Sequence, residues 1–245
     1  MKYTVHRALS LIKSTKSRIE KEFSEEAPAW IRVARGQEES IRGVSVEEIR
    51  REIQSHYDRA TALIENYIAL KSAVVQSNAG VLPGTELRKV SVGGKKLTVA
   101  EIIELRDTVY AVPKSNLLSR TGDTNHSNKR GFKSTLLSKM KQDFFQAQRE
   151  FDDMQKKADE EINRYLQSIN SRGDDEQDSK TKSIVEATSK MLHEQKDPRL
   201  IDPLKLLNKI TALDNEIEEF LTEADSVLSE QNALTTIELN LAEIK

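Results

Sequence analysis

The sequence predicts a mostly α-helical protein: an elongated antiparallel helical bundle or coiled coil that carries a small β-hairpin. Apolar residues recur at helical spacing through several long segments, which is typical of helices that bury one face. Only 37% of the 245 residues are hydrophobic, 32% are charged, and there are 9 Gly and 5 Pro. Long helices with narrow apolar stripes account for this composition, because each helix buries its stripe and leaves its other faces in water. We therefore expect a single elongated helical domain over residues 1–245.

The first part of the chain is predicted to contain two helices and a short strand. Thr4 is a suitable N-cap for a helix that ends at about Phe23. Its predicted apolar stripe consists of Val5, Leu9, Ile12, Ile19 and Phe23. Residues 30–35 alternate apolar and basic side chains, as a half-buried strand does. Ser45 followed by Glu48 forms a capping box, which opens a second, longer helix.

A β-hairpin is predicted at about residues 88–99. Two short segments with β-branched residues flank Gly93–Gly94, and two glycines supply the positive φ values of a two-residue primed turn. Thr98 with Glu101 makes another capping box directly after the hairpin, so a short helix follows. The apolar spacing then predicts a long helix over about residues 133–169.

The last helix has the most regular periodicity of the chain. Asp202–Pro203 predicts its start, because Asp caps a first turn and Pro fits the first helical position, and it extends to about Glu230. The apolar residues with a 4-3-4-3-4-3 spacing are Leu206, Ile210, Leu213, Ile217, Phe220, Ala224 and Val227. This spacing places them on one narrow seam, which predicts a partner helix, either within the chain or in a second copy.

Two polar segments and a terminal strand complete the predicted fold. Residues at about 115–131 and 171–180 are polar and contain Gly, which is typical of flexible connections. The alternating, β-branched residues at about 234–239 predict a strand. We expect this strand to pair with the hairpin and to form a minor sheet at one end of the bundle.

The composition excludes several classes of protein and site. The chain has no Cys, which excludes disulfides, thiolate nucleophiles and Cys-ligated metals. Its net charge of −2 provides no overall field for nucleic acid or anionic lipid. No segment approaches ~18 uncharged apolar residues, so no membrane span is predicted. We expect a cytoplasmic protein, located in the host cytoplasm if a phage encodes it.

No motif in the sequence points to catalysis, a cofactor or a metal. The four histidines lie far apart, and none has another His or a carboxylate at a recognised ligand spacing. Glu52 and His56 are four residues apart and are interpreted as a helix-surface pair, and the histidines are expected to lie on the surface or to face the bundle. Two lysines follow Gly93–Gly94, but the G-x-x-x-x-G-K-[ST] spacing of a phosphate loop is missing. The prediction is therefore a non-enzymatic protein without a cofactor.

The candidate contacts for an anionic ligand lie before and at the start of the long central helix. No acidic residue occurs between Asp123 and Asp143, while basic residues are frequent there. The candidate residues are Arg120, Lys129, Arg130 and Lys133. A nucleotide or nucleic acid is the ligand that they would fit. The favoured interpretation is a solvated helix start that pairs with the acidic last helix, because one basic run in a nearly neutral chain is weak support for nucleic-acid binding.

Three segments of the chain occur in the same order as in a known protein family. They contain Ala8–Leu9 with Arg18–Ile19, Val90–Glu101 followed by Arg106–Asp107, and Ile210–Ile217 followed by Asn232–Thr236. Together they resemble the septicolysin-like family of small helical bacterial and phage proteins, and are most similar to versions encoded by phages of Gram-positive bacteria. The resemblance implies a phage or prophage origin and transfers no active-site residues. The two polar segments depart from the family. The family name suggests a pore-forming toxin, but a chain with no Cys and few aromatics gives no support for pore formation.

The sequence as a whole predicts an oligomeric helical interaction protein with an accessory or assembly role in phage infection. A second copy of the chain or another phage or host protein would occupy the exposed part of its seams. The alternative is a counter-defence protein that binds a host immune protein or sequesters a nucleotide signal through its basic loop.

Overall fold

A computed structural model describes residues 4–24, 27–78, 89–113, 130–170 and 179–234. The helices are α1 (Val5–Glu22), α2 (Val46–Asn78), α3 (Val99–Thr108), α4 (Phe132–Asn170), α5 (Ser179–Lys196) and α6 (Leu206–Leu234). The strands are β1 (Arg32–Arg35), β2 (Ser40–Ile41), β3 (Val44–Ser45), β4 (Val90–Val92), β5 (Lys95–Leu97) and β6 (Pro198–Ile201). They form three antiparallel pairs, β1 with β6, β2 with β3 and β4 with β5. The predicted mostly α fold with minor sheets is confirmed.

The contacts of the chain divide it into two compact units. Unit 1 consists of Met1–Ser24, Ala60–Leu137 and Thr211–Lys245, and unit 2 consists of Glu25–Arg59 and Ser138–Ile210. The fully buried side chains of unit 1 include Ile19, Ile64, Ile102, Leu105, Leu136 and Phe220. Those of unit 2 include Ile53, His56, Met140, Ile162, Ile201 and Leu206. No helix within the described ranges is long and apolar enough to cross a membrane.

The N-cap of α1 is confirmed, but its predicted apolar stripe is partly wrong. The Thr4 side chain accepts a hydrogen bond from the Arg7 N–H at 3.3 Å. The buried face of the helix consists of Ala8, Ile12, Thr15 and Ile19. Val5 and Leu9 are 40% and 51% exposed, because the small residues Ala8 and Thr15 share the buried face with the two isoleucines. The sequence pattern favoured the larger side chains, although they lie on the flank of this face.

The predicted strand at 30–35 is present as β1, and its partner is a segment that the sequence pattern did not indicate. In the β1–β6 ladder Arg32 faces Ile201 and Arg35 faces Pro198. Pro198 begins β6, a position at which a missing N–H is tolerated in a strand. This pairing ties the segment before α6 to the segment before α2, both in unit 2.

The hairpin predicted at 88–99 is confirmed as β4 and β5. Gly93 and Gly94 adopt φ values of 57° and 69°, as a primed two-residue turn requires. The capping box that follows is also confirmed. The Glu101 N–H donates to the Thr98 hydroxyl at 3.3 Å, and the Thr98 N–H donates to the Glu101 carboxylate at 2.8 Å.

The start of the last helix lies four residues later than predicted. The Asp202 carboxylate does accept a backbone hydrogen bond, but its donor is the N–H of Leu206, the first residue of α6. Lys205 has a φ of +52°, and this left-handed residue keeps Pro203 and Leu204 in a turn outside the helix. Pro203 therefore does not occupy the first helical position.

Several predicted segments lie wholly or partly outside the described residues. Of the strand predicted at 234–239, only Leu234 is described, and it is the last residue of α6. Its pairing with the hairpin therefore stays a prediction. The described ranges also leave out 114–129 and 171–178, which contain most of the two segments predicted to be flexible.

Replacing Glu101 by Gln is expected to make the free energy of unfolding fall less steeply as the pH is lowered into the acid range. Burial would raise the pKa of Glu101, but hydrogen bonds from Thr98 and Gln76 outweigh burial and lower it from 4.5. With the folded pKa below the unfolded one, Glu101 stabilises the protein fully above the unfolded pKa. This contribution is lost as the pH falls through the folded pKa. Urea unfolding at a series of pH values from about 7 to about 3 tests this; an equally steep acid limb in E101Q would contradict it.

Candidate functional site

A cluster of one imidazole, two carboxylates and one amide lies in unit 2. Gln155 and Asp159 are four residues apart on α4, and His193 and Asp197 have the same spacing at the end of α5, so each pair projects from one face. One potential ligand atom each of Asp159, His193 and Asp197 lies within 4.8 Å of the other two. The His193 Nδ1 is 3.1 Å from the Asp197 Oδ1.

The amide of Gln155 connects the two carboxylates of this cluster. Its Nε2 donates to the Oδ1 of Asp159 at 3.0 Å and to the Oδ1 of Asp197 at 3.2 Å. A single neutral amide thus holds two acidic side chains that come from different helices. The side chains of His193 and Asp197 are 41% and 39% exposed, so solvent reaches the cluster.

The backbone around Asp197 fixes its position. Its N–H donates to the carbonyl of His193 at 2.9 Å and ends α5, while its own carbonyl accepts from the Gly36 N–H at 2.7 Å. The adjacent Lys196 forms a 2.7 Å ion pair with Glu161 of α4. A hydrogen bond from Lys196 lowers the pKa of Glu161. The last turn of α5 is therefore attached both to α4 and to the end of β1.

Unit 1 contains a separate charged site, built around a buried lysine at the start of α4. The ammonium of Lys133 contacts the carboxylate of Glu216 and lies 3.6 Å from that of Glu65. Burial would lower the pKa of Lys133, but the hydrogen bond with Glu216 outweighs it and the pKa is raised. Lys133 also lies 5.1 Å from the ring centre of Tyr110, whose hydroxyl donates to Glu216 at 3.2 Å. Burial raises the pKa of Tyr110 to about 12.

One of the four predicted contacts for an anionic ligand, Lys133, is the centre of this charged site. The predicted pairing with the last helix is present, because Lys133 contacts Glu216 of α6, but Lys133 is buried and not solvated as expected. Since it also faces Glu65, an added anion would compete with two carboxylates for its ammonium. Arg130 has an exposed side chain just before α4. Arg120 and Lys129 lie outside the described residues, so the structure does not place the four candidates together.

The glycine turn of the β4–β5 hairpin contacts α6. It leads into strand β5, and not into the helix start that a phosphate loop has. The Gly93 N–H donates to the carboxylate of Glu223 at 2.6 Å. A Cβ at this position would lie 3.1 Å from the Phe220 ring, so glycine also permits the close approach. A backbone donor that already binds a carboxylate supports the interpretation of a structural turn.

The predicted partner seam on α6 is largely buried within the single chain. Its buried members are Leu206, Ile210, Ile217, Phe220 and Ala224, whereas Leu213 and Val227 are partly exposed. The Phe220 ring stacks on Tyr110 with centroids 3.8 Å apart. Much of the seam therefore contacts other parts of the same chain.

The interpretation of His56 as part of a helix-surface pair is wrong. Its side chain is completely buried in unit 2 and stacks on Trp30, with ring centroids 3.9 Å apart. The Trp30 N–H donates to the Asp143 carboxylate at 3.0 Å, and burial raises the pKa of Asp143. The stacking on Trp30 therefore places His56 in the core of unit 2.

Compared with known protein families, curated proteins and solved structures, this chain matches none of them. The septicolysin-like resemblance therefore remains a prediction from the sequence. The function has to be proposed from the surfaces and clusters of the chain itself.

Proposed function

We propose that this protein is a non-enzymatic helical interaction protein that self-associates and acts in the cytoplasm as an accessory or assembly protein of a phage or prophage. The observation that carries the proposal is the exposure of Phe145 on α4. Its side chain is 62% exposed, the largest value among the big apolar side chains of the described ranges. An aromatic ring in water gains about 1.5–3 kcal/mol when a partner covers it fully.

The surroundings of Phe145 suit a contact between helices. Its ring meets the neighbouring Phe144 edge-on, with centroids 6.2 Å apart, so part of its orientation is fixed. Gln142 and Arg149, one turn before and after it, are exposed and supply a polar rim. An apolar anchor inside a polar rim is typical of the central residue of an interface.

Two other large side chains of unit 2 are also exposed, although Tyr165 lies about 30 Å along α4 from Phe145 and on the opposite side of the helix. Tyr165 on α4 and Met191 on α5 are half exposed. The α6 seam is less suitable for this role, because most of it is already buried in the single chain. The role in phage biology rests on the septicolysin-like resemblance and not on this surface.

Replacing Phe145 by Ser is expected to convert the oligomer into a monomer. Light scattering coupled to size exclusion measures the mass of the full chain over a wide range of concentration. The wild type should give a discrete oligomer, and F145S should give a monomer with unchanged helical circular dichroism, because only the apolar anchor is lost. Gln142→Ser is the matched control, since it changes an exposed polar residue one turn away and should leave the oligomer intact.

Absorbance at 260 and 280 nm on the same peak separates this proposal from the counter-defence alternative. A protein-only spectrum on an oligomer supports self-association. Excess absorbance at 260 nm would instead favour a protein that sequesters a nucleotide. A wild-type monomer at every concentration would overturn the self-association proposal.

A further inference from the structure

We propose that Asp159, His193 and Asp197 form a binding site for a divalent transition-metal ion, with Zn²⁺ as the best match. The site lies in unit 2 and is independent of the surface around Phe145 that carries the proposed function. One imidazole nitrogen and two carboxylate oxygens are a donor set that Zn²⁺ accepts readily. They come from two different segments, so an ion would join α4 to the end of α5.

The spacing of the three side chains suits a small ion. Bonds of about 2.0–2.2 Å in a tetrahedral site place ligand atoms about 3.4 Å apart. The 3.1 Å separation of the His193 Nδ1 and the Asp197 Oδ1 is already close to this value. The remaining separations are at most 4.8 Å, so small side-chain rotations complete the site.

The charge balance of the cluster also favours a cation. Asp159 and Asp197 bring two carboxylates within 4.8 Å of each other, where like charges repel. Gln155 is neutral, and the nearby Lys196 ammonium is paired with Glu161. A divalent ion would neutralise both carboxylates and use the imidazole as its third ligand.

Gln155 has the position of a residue that supports metal ligands without binding the metal. Carboxylates that ligate a metal usually accept additional hydrogen bonds, which orient them. The Gln155 amide donates to the Oδ1 of Asp159 at 3.0 Å and to the Oδ1 of Asp197 at 3.2 Å, and so orients both carboxylates in the cluster. We therefore assign Gln155 as a positioning residue of the site.

The backbone holds one ligand in place before any ion arrives. Asp197 is fixed by hydrogen bonds from its N–H to His193 and from Gly36 to its carbonyl. His193 lies in the last turn of α5, four residues before Asp197. Three protein ligands leave at least one coordination position open, and the partial exposure of His193 and Asp197 lets water reach it.

Zn²⁺ titration of the untagged, chelator-treated full chain by calorimetry tests the proposal. The wild type should bind one equivalent. H193A and D159N should each weaken binding at least about tenfold, and Q155L should weaken it within the 10–100-fold range of a supporting residue. Zn²⁺ should also raise the melting temperature of the wild type but not that of H193A. An ion that binds only the folded protein stabilises it, and H193A lacks one of the three ligands.

Two variants serve as matched controls. His6→Ala removes another exposed histidine, which lies on α1 in unit 1, and Asp153→Asn removes an exposed aspartate of α4 outside the cluster. Both should bind Zn²⁺ like the wild type. Loss of binding in H6A but not in H193A would overturn the proposal. So would the absence of stoichiometric binding, which would leave the cluster as a hydrogen-bonded contact between His193 and Asp197.

Discussion

Replacing Phe220 by Ala is expected to lower the free energy of unfolding by about 3–5 kcal/mol. The side chain is 1% exposed in unit 1, and its ring stacks on Tyr110 at an interplanar angle of 10°. On another side it lies against Gly93 of the β4–β5 turn. A glycine has no side chain that could move into the vacated space, so the cavity is expected to remain largely open and the loss to approach the upper part of this range.

Urea unfolding of F220A and F145A provides the comparison. Both variants delete the same side chain, but Phe145 is exposed, so its loss should change stability by less than about 0.5 kcal/mol. The measurement is made at a concentration at which both proteins are monomeric. Similar losses in the two variants would show that Phe220 is not buried as described.

The elements that sequence patterns predicted correctly are defined by local interactions. The capping box of Thr98 and Glu101 uses residues three apart, and the hairpin needs only the positive φ values of Gly93 and Gly94. The long helix predicted at 133–169 is observed as α4, because its apolar periodicity persists over many turns. Such features depend on neighbouring residues and are readable from one sequence.

The errors arise where distant parts of the chain decide the structure. Strand β6 exists because residues 198–201 pair with residues 32–35, which no local pattern indicates. His56 is buried because Trp30 stacks on it, although a histidine and a glutamate four residues apart suggest an exposed pair. One error is local: Lys205 delays the start of α6 through its left-handed backbone, a conformation that lysine rarely adopts.

The candidate metal site could be predicted only in part. The spacing of Gln155 with Asp159 and of His193 with Asp197 is visible in the sequence, and each pair shares a helix face. Such pairs are common on solvated helices, however, and carry little information alone. What assembles the site is the packing of α5 on α4, together with the hydrogen bond from Gly36 to Asp197.

Replacing Gly36 by Ala is expected to lower the free energy of unfolding by about 2–5 kcal/mol, for two separate reasons. The residue has a φ of +34°, which costs a residue with a Cβ about 1–2 kcal/mol. A Cβ would also lie 1.9 Å from the carbonyl oxygen of Gln195 and 2.3 Å from its carbonyl carbon. Both are backbone atoms that cannot rotate away, so strand and helix would have to separate, at a further cost of about 1–3 kcal/mol.

Gly43→Ala separates these two contributions in the same unit of the protein. Gly43 has a φ of +84°, but a Cβ there would meet nothing within 4 Å. G43A should therefore lose only the conformational part, about 1–2 kcal/mol. The difference between the variants in urea unfolding measures the clash between the end of β1 and the last turn of α5. Equal losses would mean that the two segments do not approach each other closely, and the hydrogen bond that positions Asp197 would lose its structural basis.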